Sequence, residues 1–150
     1  MNIKTKKSSA FTLLEVLLSI AMITVIAGIS LAVFYGFQSR NDLEIAANTV
    51  VQSYRRAQIM SRAVDGDISW GVRIQTGSIV VFKGTNYSTG RDATYDEIFD
   101  MPSNIGIAGV QEVVFAKFTG DPGTTGTTTL TGVNNETRTI TLNSEGMASY

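Results

Sequence analysis

The chain of 150 residues contains no cysteine and no histidine, with only two prolines and one tryptophan. Without cysteine there is neither a disulfide framework nor a thiolate zinc site. Without histidine the commonest general base and metal-binding side chain is missing, which excludes most familiar catalytic constellations. The lack of cysteine does not assign a compartment, because a secreted domain with an adequate core needs no covalent staple. Net charge is also close to absent: 12 Lys and Arg against 13 Asp and Glu leave −1, with a pI near 5.3. Binding to nucleic acid or to anionic lipid would therefore need a local basic patch.

What is present is one long apolar run, Phe11 to Phe37, broken by a single full charge, Glu15. At about 1.5 Å per residue a helix of this length reaches roughly 40 Å, against about 30 Å for the hydrocarbon core of a bilayer, so the run predicts a transmembrane helix. A carboxylate near one end of such a helix costs about 2.5–3.5 kcal/mol, less at the interface, and so calls for a cationic partner. Lys4, Lys6 and Lys7 precede the run, and no further Lys or Arg occurs before Arg40. The positive-inside rule then gives a single-pass protein of the cytoplasmic membrane, its N-terminus cytoplasmic and everything after about Arg40 extracytoplasmic. An ordinary secretory signal has a shorter apolar region with its small-residue site on the outer side. Here Ser8-Ser9-Ala10 lies on the inner side, and composition alone reads as an uncleaved signal anchor.

Beyond the run, Leu43, Ala47, Val50, Tyr54 and Ala57 recur at steps of three and four, which places them on one face of a helix continuing to about Ala63. Asp65-Gly66-Asp67 marks its end, with Gly available for a left-handed cap. From Ile68 the period becomes two. Ile68 to Gln75, a turn at Gly77, and Ser78 to Lys83 predict a hairpin with Trp70, Val72 and Ile74 on the face toward the helix. Gly84 to Asp92 reads as a loop and Tyr95 to Met101 as a short strand. Further strands are expected at Ile105–Ile107, Glu112–Thr119, Thr127–Val133, Glu136–Asn143 and Gly146–Tyr150. The division expected from pattern is a basic segment at 1–10, a transmembrane helix at 11–37, its amphipathic continuation at 38–63 and a β-rich head at 64–150. The fold class is α+β, a long N-terminal helix packed on a C-terminal antiparallel sheet or sandwich.

Lys-Lys-Ser-Ser-Ala-Phe-Thr-Leu-Leu-Glu-Val, residues 6–16, resembles the processing site of type IV prepilins and type II secretion prepseudopilins. The resemblance implies a structural filament subunit with no enzymatic activity. A prepilin peptidase would cut between Ala10 and Phe11 and methylate the new amine of Phe11, and Glu15 would neutralise that amine on a neighbouring subunit during assembly. A charge pair in such a bundle gives register specificity even where its net stability is small. The departure from the family pattern is Ala10, where glycine is usual. Relatives often carry a proline within the apolar helix, and this chain has only Gly28 and Gly36 there. Further along, Tyr54 to Ala63, Trp70-Gly-Val-Arg-Ile, Val113-Val-Phe, Thr139-Ile-Thr-Leu and Glu145-Gly look like GspH/FimT-type minor pseudopilins and minor pilins. The partners implied are the peptidase, other pilin or pseudopilin subunits and an inner-membrane assembly platform. No cofactor is implied.

Two other groupings invite a functional reading. Arg55, Arg56 and Arg62 form a basic cluster in the second half of the helix, which is either a DNA-uptake contact or a solvated face complementing the helix dipole. No aromatic platform is interleaved with it, which weakens a single-strand reading. Asp92, Asp96, Glu97 and Asp100 could offer oxygen ligands to calcium, but their spacing does not match a compact calcium loop. The readings kept open are a minor or major filament subunit of a pilus or pseudopilus, a DNA-binding minor pilin, and a membrane-anchored enzyme or receptor.

Overall fold

The computed structural model describes residues 11–150, with the side chains of 29–33 and 35 left out. One helix, α1, runs from Leu13 to Arg62. The chain divides into two units, Met1–Phe37 and Gln38–Tyr150, and α1 contributes to both.

In the first unit the helix passes Gly28 and Gly36 without a break, as expected of a stretch without proline. Ser19 and Thr24 donate their hydroxyls to the carbonyls of Glu15 and Ile20, at 2.7 and 2.6 Å, so these polar groups are satisfied within the helix itself. Among the described residues no helix is long and apolar enough to cross a membrane. Side chains in this part are described continuously only from Phe11 to Gly28, and the membrane crossing expected of 11–37 is not shown.

In the second unit α1 buries Leu43, Ala46, Ala47, Val50, Val51, Tyr54 and Ala57, the face that the three-and-four spacing marks. The alanines let backbones approach closely. The helix ends as expected near Ala63 but not by the expected glycine. Val64 takes the left-handed conformation at φ 56°, followed by a short 3-10 turn, Asp65–Asp67, in which Gly66 and Asp67 also have positive φ. A β-branched residue is strained there. The turn is held by Trp70, whose indole N–H donates to the Asp65 carbonyl at 2.8 Å, and by an ion pair between Lys117 and Asp67.

Eight strands follow: β1 (Trp70–Gln75), β2 (Ser78–Gly84), β3 (Arg91–Asp100), β4 (Gly106–Gly109), β5 (Glu112–Phe115), β6 (Gly126–Thr131), β7 (Thr137–Leu142) and β8 (Ala148–Ser149). They form two antiparallel four-stranded sheets, ordered β3-β2-β1-β5 and β4-β6-β7-β8. The β1–β2 hairpin closes on Gln75 opposite Ser78, with Gly77 at φ 87° in the two-residue turn. Trp70, Val72 and Ile74 join Ile79, Val81, Val113 and Phe115 in one buried cluster with the helix face, and the second sheet adds Leu130, Ile140, Leu142 and Ala148.

Two boundaries lie four residues from the expected ones. Strand β3 begins at Arg91 rather than Tyr95, because pairing with β2 resumes at Lys83–Asp92 and Gly84–Arg91 beyond a bulge. Strand β5 stops at Phe115 instead of Thr119, where a turn with Phe118 at φ 73° carries the chain back to donate its N–H to the Ser61 carbonyl. The outer face of the first sheet also buries Val80 and Phe82. Phe82 meets the edge of Tyr87 from the 85–90 loop at 5.5 Å between ring centroids, and Arg91 lies 3.8 Å over the Tyr87 ring.

Candidate functional site

The residues singled out for processing and assembly sit where the chain enters α1. Ala10 and the lysines before it lie outside the described residues. Phe11 is exposed and not yet helical. Thr12 caps the helix: its carbonyl accepts from the N–H groups of Glu15 and Val16 at 3.1 and 3.2 Å, and its hydroxyl accepts from the Glu15 N–H at 3.3 Å. Glu15 is therefore the third helical residue, in the first turn, where the helix dipole favours a carboxylate. Thr12-Leu-Leu-Glu15 has the spacing of a capping box, a signal present in the sequence but overlooked in reading Glu15 only as an assembly charge.

The described side chains that follow are exposed on all sides of the helix, from Leu13 at 80% and Leu14 at 77% to Met22, Ile23, Val25 and Ile26. Isolated in water, so many large exposed apolar groups would constitute a patch far beyond that of a stable monomer.

The three arginines do not make one free patch. Arg56 forms a two-point ion pair with Glu97 of β3, which holds the guanidinium above its ordinary value. Arg62 donates to the Thr119 carbonyl at 2.9 Å, and its stem lies over Gly120. Arg55 stays exposed, with neither an ion pair nor a side-chain hydrogen bond among the described residues. The acidic grouping is equally dispersed: Glu97 faces Arg56, and Asp96 lies 3.3 Å from Arg91. Among the described residues no three acidic side chains converge as a metal site would require. A groove of about 510 Å³ lies between α1 and β3, walled by Ile59, Met60 and Phe99 beside Arg55 and Arg56.

Two buried polar residues on α1 tie the helix to both sheets. Ser61 Oγ accepts from the Trp70 N–H at 2.9 Å and donates to the Phe115 carbonyl at 3.1 Å, joining the helix to β1 and β5. Gln58 donates its amide to the carbonyls of Gly120 and Glu145, at 3.0 and 2.8 Å. The spacing pattern could not reveal them, because a polar residue on a helix is ordinarily assigned to solvent. Tyr54 meets Phe115 edge-on at 6.3 Å and places its hydroxyl 3.4 Å from Thr128 of β6, and burial raises its phenol above the usual value. At the rim, Tyr150 donates to Glu44 at 2.9 Å and Arg138 donates to the other Glu44 oxygen at 2.9 Å. Arg138 first and Tyr150 second hold that carboxyl below its ordinary value.

Comparison with known proteins bears on both ends of this arrangement. Residues 5–31 match a family model described as a prokaryotic N-terminal methylation motif. No curated protein matches the chain. The fold is similar to that of the minor pseudopilin EpsH from the Type 2 Secretion System of Vibrio cholerae, with a TM-score of 0.52, 13% identity, and 72% of this chain and 94% of that chain covered. The methylation motif thus lies at the N-terminus, and the fold behind it is similar to that of this pseudopilin.

Proposed function

We propose that the chain is a minor pilin or pseudopilin subunit of a type IV pilus or type II secretion pseudopilus, matured by a prepilin peptidase and polymerised through its apolar helix. The observation that carries this is the junction at Phe11: the matched motif leads straight into a helix that is exposed and apolar on every side and then turns amphipathic on a folded head. An exposed apolar helix needs an interior. A bilayer supplies one before assembly, and the helices of neighbouring subunits supply one afterwards.

In this reading residues 1–10 are a cytoplasmic leader removed at the Ala10–Phe11 bond, Phe11 is methylated on its new amine, and the head faces away from the cytoplasm. Glu15 pairs with the Phe11 amine of a neighbouring subunit, and an inner-membrane platform lifts subunits into the filament. The protein acts by assembling and not by catalysis. The intact mass of the chain extracted from membranes tests this: a loss of residues 1–10 and gain of one methyl group is expected, and a chain still beginning at Met1 in assembled filaments would overturn it.

A further inference from the structure

The first sheet closes one of its edges and leaves the other open. Beyond β5, Phe115 bridges to Pro122 and the Gly123 N–H donates to the Val114 carbonyl at 2.8 Å, so that side is covered. Strand β3, the opposite edge, pairs with β2 alone among the described residues. Its first half is blunted by the bulge, where the Thr94 N–H donates to the Asp92 carboxylate at 3.1 Å. Glu97–Asp100 then runs in unbroken register along β2, and its outward N–H and C=O groups suit another extended chain.

This stretch borders the groove beside α1. Phe99 lies opposite Ile79 and Glu97 opposite Val81, both core residues, so Phe99 and Glu97 are on the helix side of the sheet. The apolar wall of the groove is open, with Ile59 65% exposed. Arg55 stands at its lip without an ion pair among the described residues, while Arg56 is taken by Glu97. Ser53 lines the groove at 2% exposure, and its hydroxyl meets no hydrogen-bonding partner among the described residues. A buried hydroxyl without a partner is costly, and a polar group brought into the groove would relieve it.

We propose that this edge and groove take an extended segment of another protein as a fifth strand of the sheet, its large apolar side chains and a carboxylate turned toward α1. An added strand continues the pleat of β3, so every second side chain falls in line with Phe99 and enters the groove. There the apolar side chains cover Ile59, Met60 and Phe99, and the carboxylate meets Arg55. On the other side of the sheet Asp100 favours a basic residue. The edge disfavours a second copy of this chain, because pairing β3 with β3 would set Asp96, Glu97 and Asp100 of the two copies against one another, and like charges across strands repel. The site lies wholly within Gln38–Tyr150 and is independent of what happens at the N-terminus.

The blocked peptide acetyl-Thr-Val-Lys-Phe-Thr-Glu-Lys-amide carries this pattern, with Val, Phe and Glu on one side. Labelled and titrated with the full chain in mild detergent, it should bind with a Kd below about 1 mM. Every second N–H of an added strand faces its neighbour, so N-methylation of Val, Phe and Glu, or of the Lys and Thr between them, should abolish binding in one case and leave it within about two-fold in the other. Arg55→Glu should weaken the peptide about ten-fold, and exchanging the peptide's Glu for Lys should restore it. Ile59→Lys, at an exposed site, should abolish binding without lowering the thermal midpoint. No binding at about 1 mM, equal effects of the two N-methylated sets, or parental affinity in Arg55→Glu or Ile59→Lys overturns the proposal. A peptide that binds only by dissociating a dimer of the chain assigns the edge to a second copy and overturns it as well.

Discussion

Replacing Ser61 by alanine tests how the head is joined to its helix. Ser61 is fully buried, and its hydroxyl both accepts from the Trp70 N–H and donates to the Phe115 carbonyl. Alanine fits the same space, so no cavity or clash complicates the result. It leaves a buried backbone N–H without an acceptor, at a cost of about 1–3 kcal/mol, and a carbonyl without one of its donors. The better helix propensity of alanine returns about 0.5 kcal/mol. The expected net loss is about 2 kcal/mol, roughly a thirty-fold change in the ratio of folded to unfolded chain. For a urea slope of about 2 kcal/mol per molar the midpoint falls by about 1 M with the slope unchanged. Trp70, the only tryptophan, is buried beside the substitution and reports the transition by its fluorescence in the full chain held in mild detergent. A loss under about 0.5 kcal/mol would refute the reasoning, since it would mean that the Trp70 N–H finds another partner and Ser61 does not join helix to sheet.

Glu15→Gln removes the carboxylate while keeping the helix and its cap, so leader removal should proceed normally while incorporation into filaments falls; filaments of normal length and number would contradict the assembly role. Gly71→Ala should destabilise the head by about 1–3 kcal/mol, because an added Cβ would meet the Phe82 ring at 2.5 Å and the Val113 carbonyl at 2.9 Å, and an unchanged thermal midpoint would count against this packing. The raised Tyr54 phenol makes folding proton-linked on the alkaline side. Its folded value exceeds the unfolded value near 10, so this stability is complete below about pH 10 and is lost as pH rises through the folded value. Tyr54→Phe should flatten the alkaline limb of a stability-against-pH curve, and an equally steep limb would assign it to other groups.

The parts of the fold that were legible are those written as periodicity. Leu43, Val50 and Tyr54 declare the buried face of α1 by their spacing, and Trp70, Val72 and Ile74 declare theirs by alternation. Which strands would sit side by side was not legible: the pairing of β1 with β5 and of β4 with β6 joins segments whose relation depends on three-dimensional closure, not on local pattern. Val64 was missed because a left-handed turn is ordinarily assigned to glycine, and here the contacts of Trp70 and Lys117 with the Asp65–Asp67 turn override that preference. The Arg55, Arg56 and Arg62 cluster looked like one surface because sequence places the charges together, whereas Glu97 and Thr119, distant in sequence, each engage one of them. At the N-terminus the motif was plain, yet its threonine passed as filler between Phe11 and the apolar run.

The joining of α1 to two sheets at once has a mechanical meaning. Buried contacts between helix and head run from Leu43 to Ser61, about 27 Å along the axis at the standard rise, and Tyr54 and the Gln58 and Ser61 pair engage strands and turns of both sheets. A pull applied to the N-terminal part of α1 would therefore be shared along five turns and between two sheets, so the helix would have to be sheared away from the whole head rather than peeled from it bond by bond. A chain with no disulfide to lock its head can still bear load, because the grip is spread along the length of the handle.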